Sequence, residues 1–468
     1  MTRTRFSPSP TGMLHLGNVR AALFSALYAT KHQGAFILRI EDTDLVRSDH
    51  KYTVMLQEDL HWLGIQWQEG PEVGGPHGPY FQSQRHRVYE DYYKQLETQK
   101  LAYPCFCSDQ ELAMNRKLQL SRGHAPRYPG TCRKLTQAEV QKKLEQGLKP
   151  ALRFQIPANT MIEFVDLVKG IQRFNSDDIG DFIIRRAEGT ASFMFCNAID
   201  DSLMEVTHVL RGEDHLANTP RQLMILSALK LRTPQYGHLS LIMGEDGGKL
   251  SKRHGSFSLH DLREEGYLPK AAMNYLARLS HTYDSQNLLS FSELANDFQL
   301  ERLSRSSARF DLNQLHFWQK QMVLSLDDNA LLNWLGEEFK QRIPNDKRKL
   351  FLEVVRQNVI FPSEAKKWAD IFFGNDLSYS DENKTVLQQA GKQFFTEWQS
   401  AANQHSDDLK KMLDELKSKL NISGKQLFMP IRIALTGEQH GPELAQIVIL
   451  LGKEKIENRI KSAMNASS

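Results

Sequence analysis

The stretch Thr2-Arg3-Thr4-Arg5-Phe6-Ser7-Pro8-Ser9-Pro10-Thr11-Gly12-Met13-Leu14-His15-Leu16-Gly17-Asn18 decides the fold. Thr2–Phe6 predicts a short strand. Ser7–Gly12, with two prolines, favours a turn over a helix. From Asn18 to His32, Val19, Ala22, Leu23, Ala26 and Leu27 recur at helical spacing, and Gly34 is the expected stop. Ala35–Ile40 predicts a second strand and Val54–Leu63 a further helix. Strand, helix, strand in this order favours a parallel sheet with ligands at the carboxyl ends of its strands.

Beyond this unit the pattern changes. Residues 82–190 hold a Cys-x-Cys pair, a polar region and short strands such as Ile162–Val168 and Phe182–Arg186, and they read as an insertion. The α/β pattern returns with a strand at Glu205–Leu210, followed by Arg211-Gly212-Glu213-Asp214-His215. A helix is expected from Thr219-Pro220, with the threonine as N-cap and the proline at the first helical position. From Leu259 helices dominate. No strand is predicted beyond Phe310, where Phe317, Trp318, Trp334, Phe351, Trp368 and Phe394 are interspersed with Lys and Arg.

A chain of 468 residues accommodates about three domains. The net charge of 59 − 56 = +3 is too small to argue for nucleic-acid binding without a local patch. The first residues hold no apolar signal core, so no secretory leader is expected, and no run of about 18 apolar residues predicts a membrane span. Four cysteines are too few for a disulfide scaffold and point to a reduced, cytosolic setting.

His15 falls at the mouth of a helix that follows a strand. Backbone N–H groups and the helix dipole make such a position an anion site suited to nucleotide phosphate, and Gly17 leaves room for a base or ribose. Taken alone, a histidine there is usually a surface or capping residue. The second segment, Lys249-Leu250-Ser251-Lys252-Arg253, lies between Gly247-Gly248 and Gly255. Such a basic loop can close over a triphosphate and stabilise a departing pyrophosphate, although most short basic runs are solvated loops. In this order the two segments describe a site that activates a carboxylate with ATP.

These segments resemble the HIGH and KMSKS signatures of class I aminoacyl-tRNA synthetases, here His15-Leu16-Gly17-Asn18 and Lys249-Leu250-Ser251-Lys252-Arg253. Thr4–Gly12, Arg39-Ile40-Glu41-Asp42-Thr43-Asp44, Gly74-Gly75-Pro76-His77-Gly78-Pro79-Tyr80 and Arg211–His215 resemble the bacterial-type glutamyl-tRNA synthetase family more specifically. The likeness runs from residue 2 to about 310 and weakly to the end. It implies a Rossmann-like catalytic domain in two halves, 1–81 and 191–258, around an inserted α/β acceptor-end-binding domain at 82–190. A stem-contact region at 259–310 and an all-α anticodon-binding domain at 311–468 complete the expected order. Catalysis falls to His15, Lys249, Ser251, Lys252 and Arg253. ATP, with Mg²⁺, would meet His15, Gly17, Asn18, Asp214, His215, Leu241 and Lys252. Glutamate would meet Arg5, Ser7, Ser9, Glu41, Phe193, Asn197 and Arg211. Chemically, Arg5 and Arg211 can fork the side-chain carboxylate, while Glu41 receives the ammonium. The family usually has Tyr-His where this chain has Phe193-Met194, so a hydroxyl and an imidazole beside the substrate are lost.

Cys105-x-Cys107 and Cys132 suggest most of a zinc site. Zinc-bearing members of the family carry a fourth ligand shortly after the third cysteine, where Lys134 stands here. Tyr128 is spaced like the tyrosine ligand of the related glutamyl-Q-tRNA(Asp) synthetases, and His124 is close by. A relic of free thiols is the alternative. The resemblance thus implies a monomeric, cytoplasmic glutamate–tRNA ligase acting on tRNA(Glu), with tRNA(Gln) as a second candidate. Around Val355-Arg356-Gln357-Asn358, discriminating relatives can carry a further arginine at the position of Asn358. A glutamyl-Q-tRNA(Asp) synthetase would lack the long helical C-terminal region, a glutaminyl-tRNA synthetase would end in β-barrels, and an inactive tRNA-binding paralogue would be expected to have lost His15 or the basic loop.

Overall fold

The computed structural model describes residues 1–44, 46–244, 246–248, 258–405 and 409–467. The chain opens with β1 (Arg3–Phe6), α1 (Leu16–Lys31), β2 (Ala35–Leu38) and α2 (His50–Trp62). Next come α3 (His86–Thr98), β3 (Ala102–Cys105), α4 (Asp109–Ser121), α5 (Gln137–Glu145), β4 (Ala151–Phe154), β5 (Met161–Asp166), β6 (Gly170–Asn175), α6 (Ser176–Ile179) and β7 (Phe182–Arg185). Then α7 (Phe193–Leu203), β8 (His208–Gly212), α8 (Thr219–Ala228) and β9 (Gln235–Leu239) return to the first pattern.

The central sheet is parallel, in the order β2-β1-β8-β9. Chain order reverses between β1 and β8, so a crevice opens beyond their carboxyl ends. Ser7 leaves β1 there, and Arg211 and Gly212 end β8. The stretch between the two halves forms an antiparallel sheet β3-β4-β7 and the hairpin β5-β6. Its helices α4 and α5 bury no residue. Capping boxes hold them instead: Ser108 with Glu111, and Thr136 with Glu139. Those boxes, in a region that reads only as polar, are why helices form there.

Two compact units result: residues 1–264 with 268–315, and residues 265–267 with 316–468. Within the second, helices run from Asp328–Leu335 to Lys453–Ala466, and no strand occurs among its described residues. Among the described residues no helix is long and apolar enough to cross a membrane.

The predicted face of α1 is fully buried: Val19, Ala22, Leu23, Ala26 and Leu27 are at most 1% exposed. Each larger one contributes about 1.5–3 kcal/mol. The helix starts two residues earlier than expected, because His15 is the N-cap and its side chain accepts from the Asn18 N–H. Gly34 is not the stop either. Gln33 takes the left-handed conformation, at φ 49°. Gly34 is needed because a Cβ there would lie 2.1 Å from Thr2 O. Thr219 is not an N-cap: Asn218 holds that position, and the Thr219 hydroxyl accepts from Arg211 Nη2 at 2.8 Å. The strand expected from Glu205 begins at His208, since Glu205 sits at φ 55° as the chain leaves α7.

Gly34→Ala therefore overpacks the β1–α1 connection. It should cost about 1–3 kcal/mol, read as a lower midpoint in thermal unfolding, and an unchanged midpoint would show that Thr2 can withdraw freely.

Candidate active site

A cavity of about 370 Å³ occupies the crevice between the ends of β1 and β8. Of the residues expected to contact substrates, Arg5, Ser7, Ser9, His15, Asn18, Glu41, Phe193, Asn197, Arg211, Asp214 and His215 line it together. Lys249, Ser251, Lys252 and Arg253 lie outside the described residues. Gly17 and Leu241 are not on its wall. The Leu241 N–H donates to Glu213 at 2.9 Å. A Cβ on Gly17 would come within 3.1 Å of the His15 ring. A side chain at Gly17 would thus crowd the His15 ring.

His15 Nδ1 faces the Asn18 N–H at 3.4 Å. Burial holds its ring below the ordinary histidine pKa, with Asp214 opposing. A neutral ring that accepts at Nδ1 carries its proton on Nε2. His215 is lowered further, to about 4, by burial and then by Arg211.

The polar floor is one connected network. Arg5 donates to Asp201 through Nε at 3.2 Å and Nη2 at 3.3 Å. Arg39 reaches the same Asp201 at 2.7 Å and Glu41 at 3.2 Å. Glu41 also accepts from Asn197 Nδ2 at 2.5 Å. Asn197 Oδ1 accepts from Gln222 at 2.7 Å, and Gln222 Oε1 accepts from Arg211 Nη2 at 2.7 Å. Burial alone would raise the Asp201 carboxyl, but Arg5 and Arg39 hold it below its ordinary value. Burial pushes Glu41 up, against Arg39 and Arg5.

Arg211 differs from the other two guanidiniums. Its described hydrogen-bond partners are neutral or polar: His238, Thr219 and Gln222. The ring of Tyr236 lies 5.0 Å from its guanidinium carbon. Its Nη1 is buried without a partner, and burial pulls its pKa down to about 10. Arg5 and Arg211 both line the cavity, but only Arg211 lacks a carboxylate partner among them.

Arg39, Asp201, Gln222, His238 and Asp166 were not singled out as site residues by sequence. A signal existed for two. Asn197 and Asp201 stand four apart on α7, and Thr219 and Gln222 stand three apart on α8. Each pair shares one helix face.

A second cluster lies in the inserted region. The Sγ atoms of Cys105, Cys107 and Cys132 fall within 4.8 Å of one another. Tyr128 Oη is 3.4 Å from both Cys105 and Cys107 and accepts from the Cys132 N–H at 2.9 Å. Arg153 Nε donates to Cys105 at 3.1 Å and stacks 3.8 Å over the Tyr128 ring. Burial would raise the Cys105 thiol, but Tyr128 and Arg153 bring it below its ordinary value. Three soft sulfurs and a phenol oxygen on one point suit a zinc ion. His124 and Lys134 instead line a neighbouring cavity with Tyr128.

Known proteins place this geometry in context. Residues 1–317 match the family "tRNA synthetases class I (E and Q), catalytic domain", and residues 326–464 match "Anticodon binding domain". The chain is 52% identical to a glutamate–tRNA ligase 2 of Coxiella burnetii (strain RSA 331 / Henzerling II), over 99% of this chain and 100% of the relative. It is 51% identical to a glutamate–tRNA ligase 2 of Nitrosococcus oceani, over 99% and 98%. A crystal structure of a glutamate tRNA ligase from Elizabethkingia meningosepticum, in complex with its amino acid, superposes with a TM-score of 0.87 at 29% identity, covering 100% of both chains.

Asp201→Ala leaves Arg5 and Arg39 buried without their shared anion. It should cost about 3–5 kcal/mol. The wild-type contribution has a pH signature: because the folded carboxyl titrates below its unfolded value of about 3.9, it is fully present above that value and lost as pH falls through the lower folded one. Thermal unfolding followed from neutral pH into acid should show the mutant's deficit shrinking. A deficit independent of pH would assign Asp201 a packing role only.

Proposed function

The chain belongs to the class I tRNA synthetases of the E and Q kind, and from that premise we propose that it ligates L-glutamate to the 3′-terminal ribose of tRNA(Glu) at the expense of ATP. The observation that carries the choice of glutamate is Arg211. A buried cation without an anionic partner, lining a cavity beside a helix N-terminus, is stabilised by a substrate carboxylate.

In the first step an oxygen of the glutamate α-carboxylate attacks the α-phosphorus of ATP. The new P–O bond forms as the bridging P–O bond breaks, and pyrophosphate leaves. In the second, the ribose hydroxyl oxygen attacks the acyl carbon of glutamyl-adenylate, and AMP leaves. Arg211, with Arg5 beside it, orients the side-chain carboxylate. Glu41 and Asn197 face the ammonium, and Ser7, Ser9 and Phe193 close the wall. His15 meets phosphate through its Nε2–H, next to the N-terminus of α1 and Asn18. Lys252, with Lys249, Ser251 and Arg253, stabilises the charge on departing pyrophosphate, and Asp214 and His215 flank the nucleotide. Mg²⁺ arrives with ATP as part of the substrate. Positioning and charge stabilisation carry most of the catalysis.

The inserted region, 82–190, takes the acceptor end, 259–310 the stem, and 311–468 the anticodon. Cys105, Cys107, Cys132 and Tyr128 would hold one zinc ion, whose role would be structural, tying β3 to the chain before α5. The protein works as a cytoplasmic monomer. Charging tRNA(Glu) and tRNA(Gln) side by side tests both the activity and whether the second tRNA is accepted. No charging of tRNA(Glu) would overturn the reading.

Glutamine is nearly isosteric with glutamate, so charge must separate them. Leaving Arg211 buried without an anion costs roughly 3–5 kcal/mol, or about a hundredfold to a few thousandfold at ~1.4 kcal/mol per tenfold. Wild-type kcat/KM should favour glutamate by at least about a hundredfold, and Arg211→Ala should raise the KM for glutamate and shrink that ratio. Equal use of both amino acids would remove Arg211 from selection. Metal analysis of protein purified without chelators should find about one zinc per chain, lost in Cys105→Ser. A metal-free wild type would mark the cluster as free thiols.

A further inference from the structure

The carboxylate behind Arg211 comes from the hairpin, not from the central sheet. The Leu167 N–H donates to Tyr236 O at 2.8 Å, which lays the end of β5 beside β9. Asp166 is 2% exposed there. Its Oδ1 accepts three backbone N–H groups, from Val168 at 2.9 Å, Lys169 at 2.7 Å and His238 at 3.2 Å. Its Oδ2 faces His238 Nδ1 at 2.5 Å. The other ring nitrogen, Nε2, faces Arg211 Nε at 3.2 Å and the Thr219 hydroxyl at 3.1 Å.

The tautomer follows from these contacts. A guanidinium Nε–H only donates, so His238 Nε2 must present a lone pair. The ring proton is then on Nδ1, directed at Asp166. A doubly protonated ring would set an N–H against the Arg211 N–H. Burial lowers the affinity of this ring for a second proton, with Asp166 opposing and Arg211 assisting. Nε of Arg211 is thus tied to His238, and Nη2 to Thr219 and Gln222. Only Nη1 is without a partner.

We propose that Asp166 and His238 are positioning residues for amino-acid recognition: the Asp166 carboxylate holds His238 in its Nδ1–H tautomer, and that ring holds Arg211 with Nη1 left for the side-chain carboxylate of the substrate. The inference rests on Arg211 being the glutamate contact. It also makes the hairpin of the inserted region a support of the amino-acid pocket, acting through His238 and Arg211.

Asp166→Asn tests it. The three backbone donors keep the amide oxygen at the Oδ1 position, so the amide NH₂ faces His238 Nδ1. The ring is forced to the Nε2–H tautomer, as when an amide replaces a histidine-orienting carboxylate. The charged Arg211 then loses the acceptor of its Nε–H. The KM for glutamate should rise roughly ten- to a hundredfold, with the KM for ATP little changed, in tRNA-dependent pyrophosphate exchange. Nitrogen NMR of histidine-labelled protein should show one ring, absent in His238→Gln, as Nδ1–H in the wild type and Nε2–H in Asp166→Asn. His238→Gln keeps an acceptor for Arg211 and should bind glutamate better than His238→Ala. If Asp166→Asn does not fold, equal glutamate KM in those two variants would overturn the proposal. So would a wild-type glutamate KM in folded Asp166→Asn. Arg211→Lys separates the two levels: a wild-type glutamate KM there overturns the role of Arg211 itself, whereas a raised KM beside a silent Asp166→Asn overturns only the positioning.

Discussion

A guanidinium held out of water without a carboxylate partner is the constraint around which this catalytic unit is built. Arg5 and Arg39 share Asp201, and Arg39 also has Glu41. Arg211 has hydrogen bonds but no anion among its direct described partners. Burying such a charge is unfavourable unless the site is completed from outside. On the proposed function the carboxylate of the amino-acid substrate completes it, and the same deficit that weakens the empty site would reject a neutral substrate.

Many elements share the task of holding this arrangement. β1 brings Arg5, the residues after β2 bring Arg39 and Glu41, α7 brings Asn197 and Asp201, and β8 brings Arg211. α8 adds Thr219 and Gln222, and β9 adds His238. Hydrogen bonds link them from Asp166 to Asp201 without a break. Buried networks of this kind are favourable only when every member is satisfied. Here Nη1 of Arg211 and Nε of Arg39 are the buried network nitrogens left over. Arg211 lines the cavity, and its surplus donor is the one the proposal assigns to the ligand.

Local patterns made the frame legible. The strand–turn–helix of residues 2–32, the return of α/β pattern after 190 and the helical character after 310 all follow from periodicity, prolines and glycines. The strand–helix junction pointed to His15, and family resemblance, not periodicity, to Glu41, Asn197 and Arg211. The failures also have physical causes. Thr219 looks like an N-cap because its hydroxyl is valued there, yet a buried arginine binds that hydroxyl more strongly. Gly34 looks like a helix stop, but the close approach of Thr2 O, a contact 32 residues away, is what requires it. Asp166 and His238 lie 72 residues apart on a hairpin and a strand. No local spacing can reveal that they meet, and a buried histidine is usually only a core residue.

The most direct test is a crystal structure of the protein with bound glutamate. The side-chain carboxylate should lie within about 3 Å of Arg211 Nη1, while Nε and Nη2 keep His238, Thr219 and Gln222. A glutamate whose side chain lies elsewhere, or an Arg211 that has left His238 to reach it, would show that this guanidinium is not held ready for the substrate.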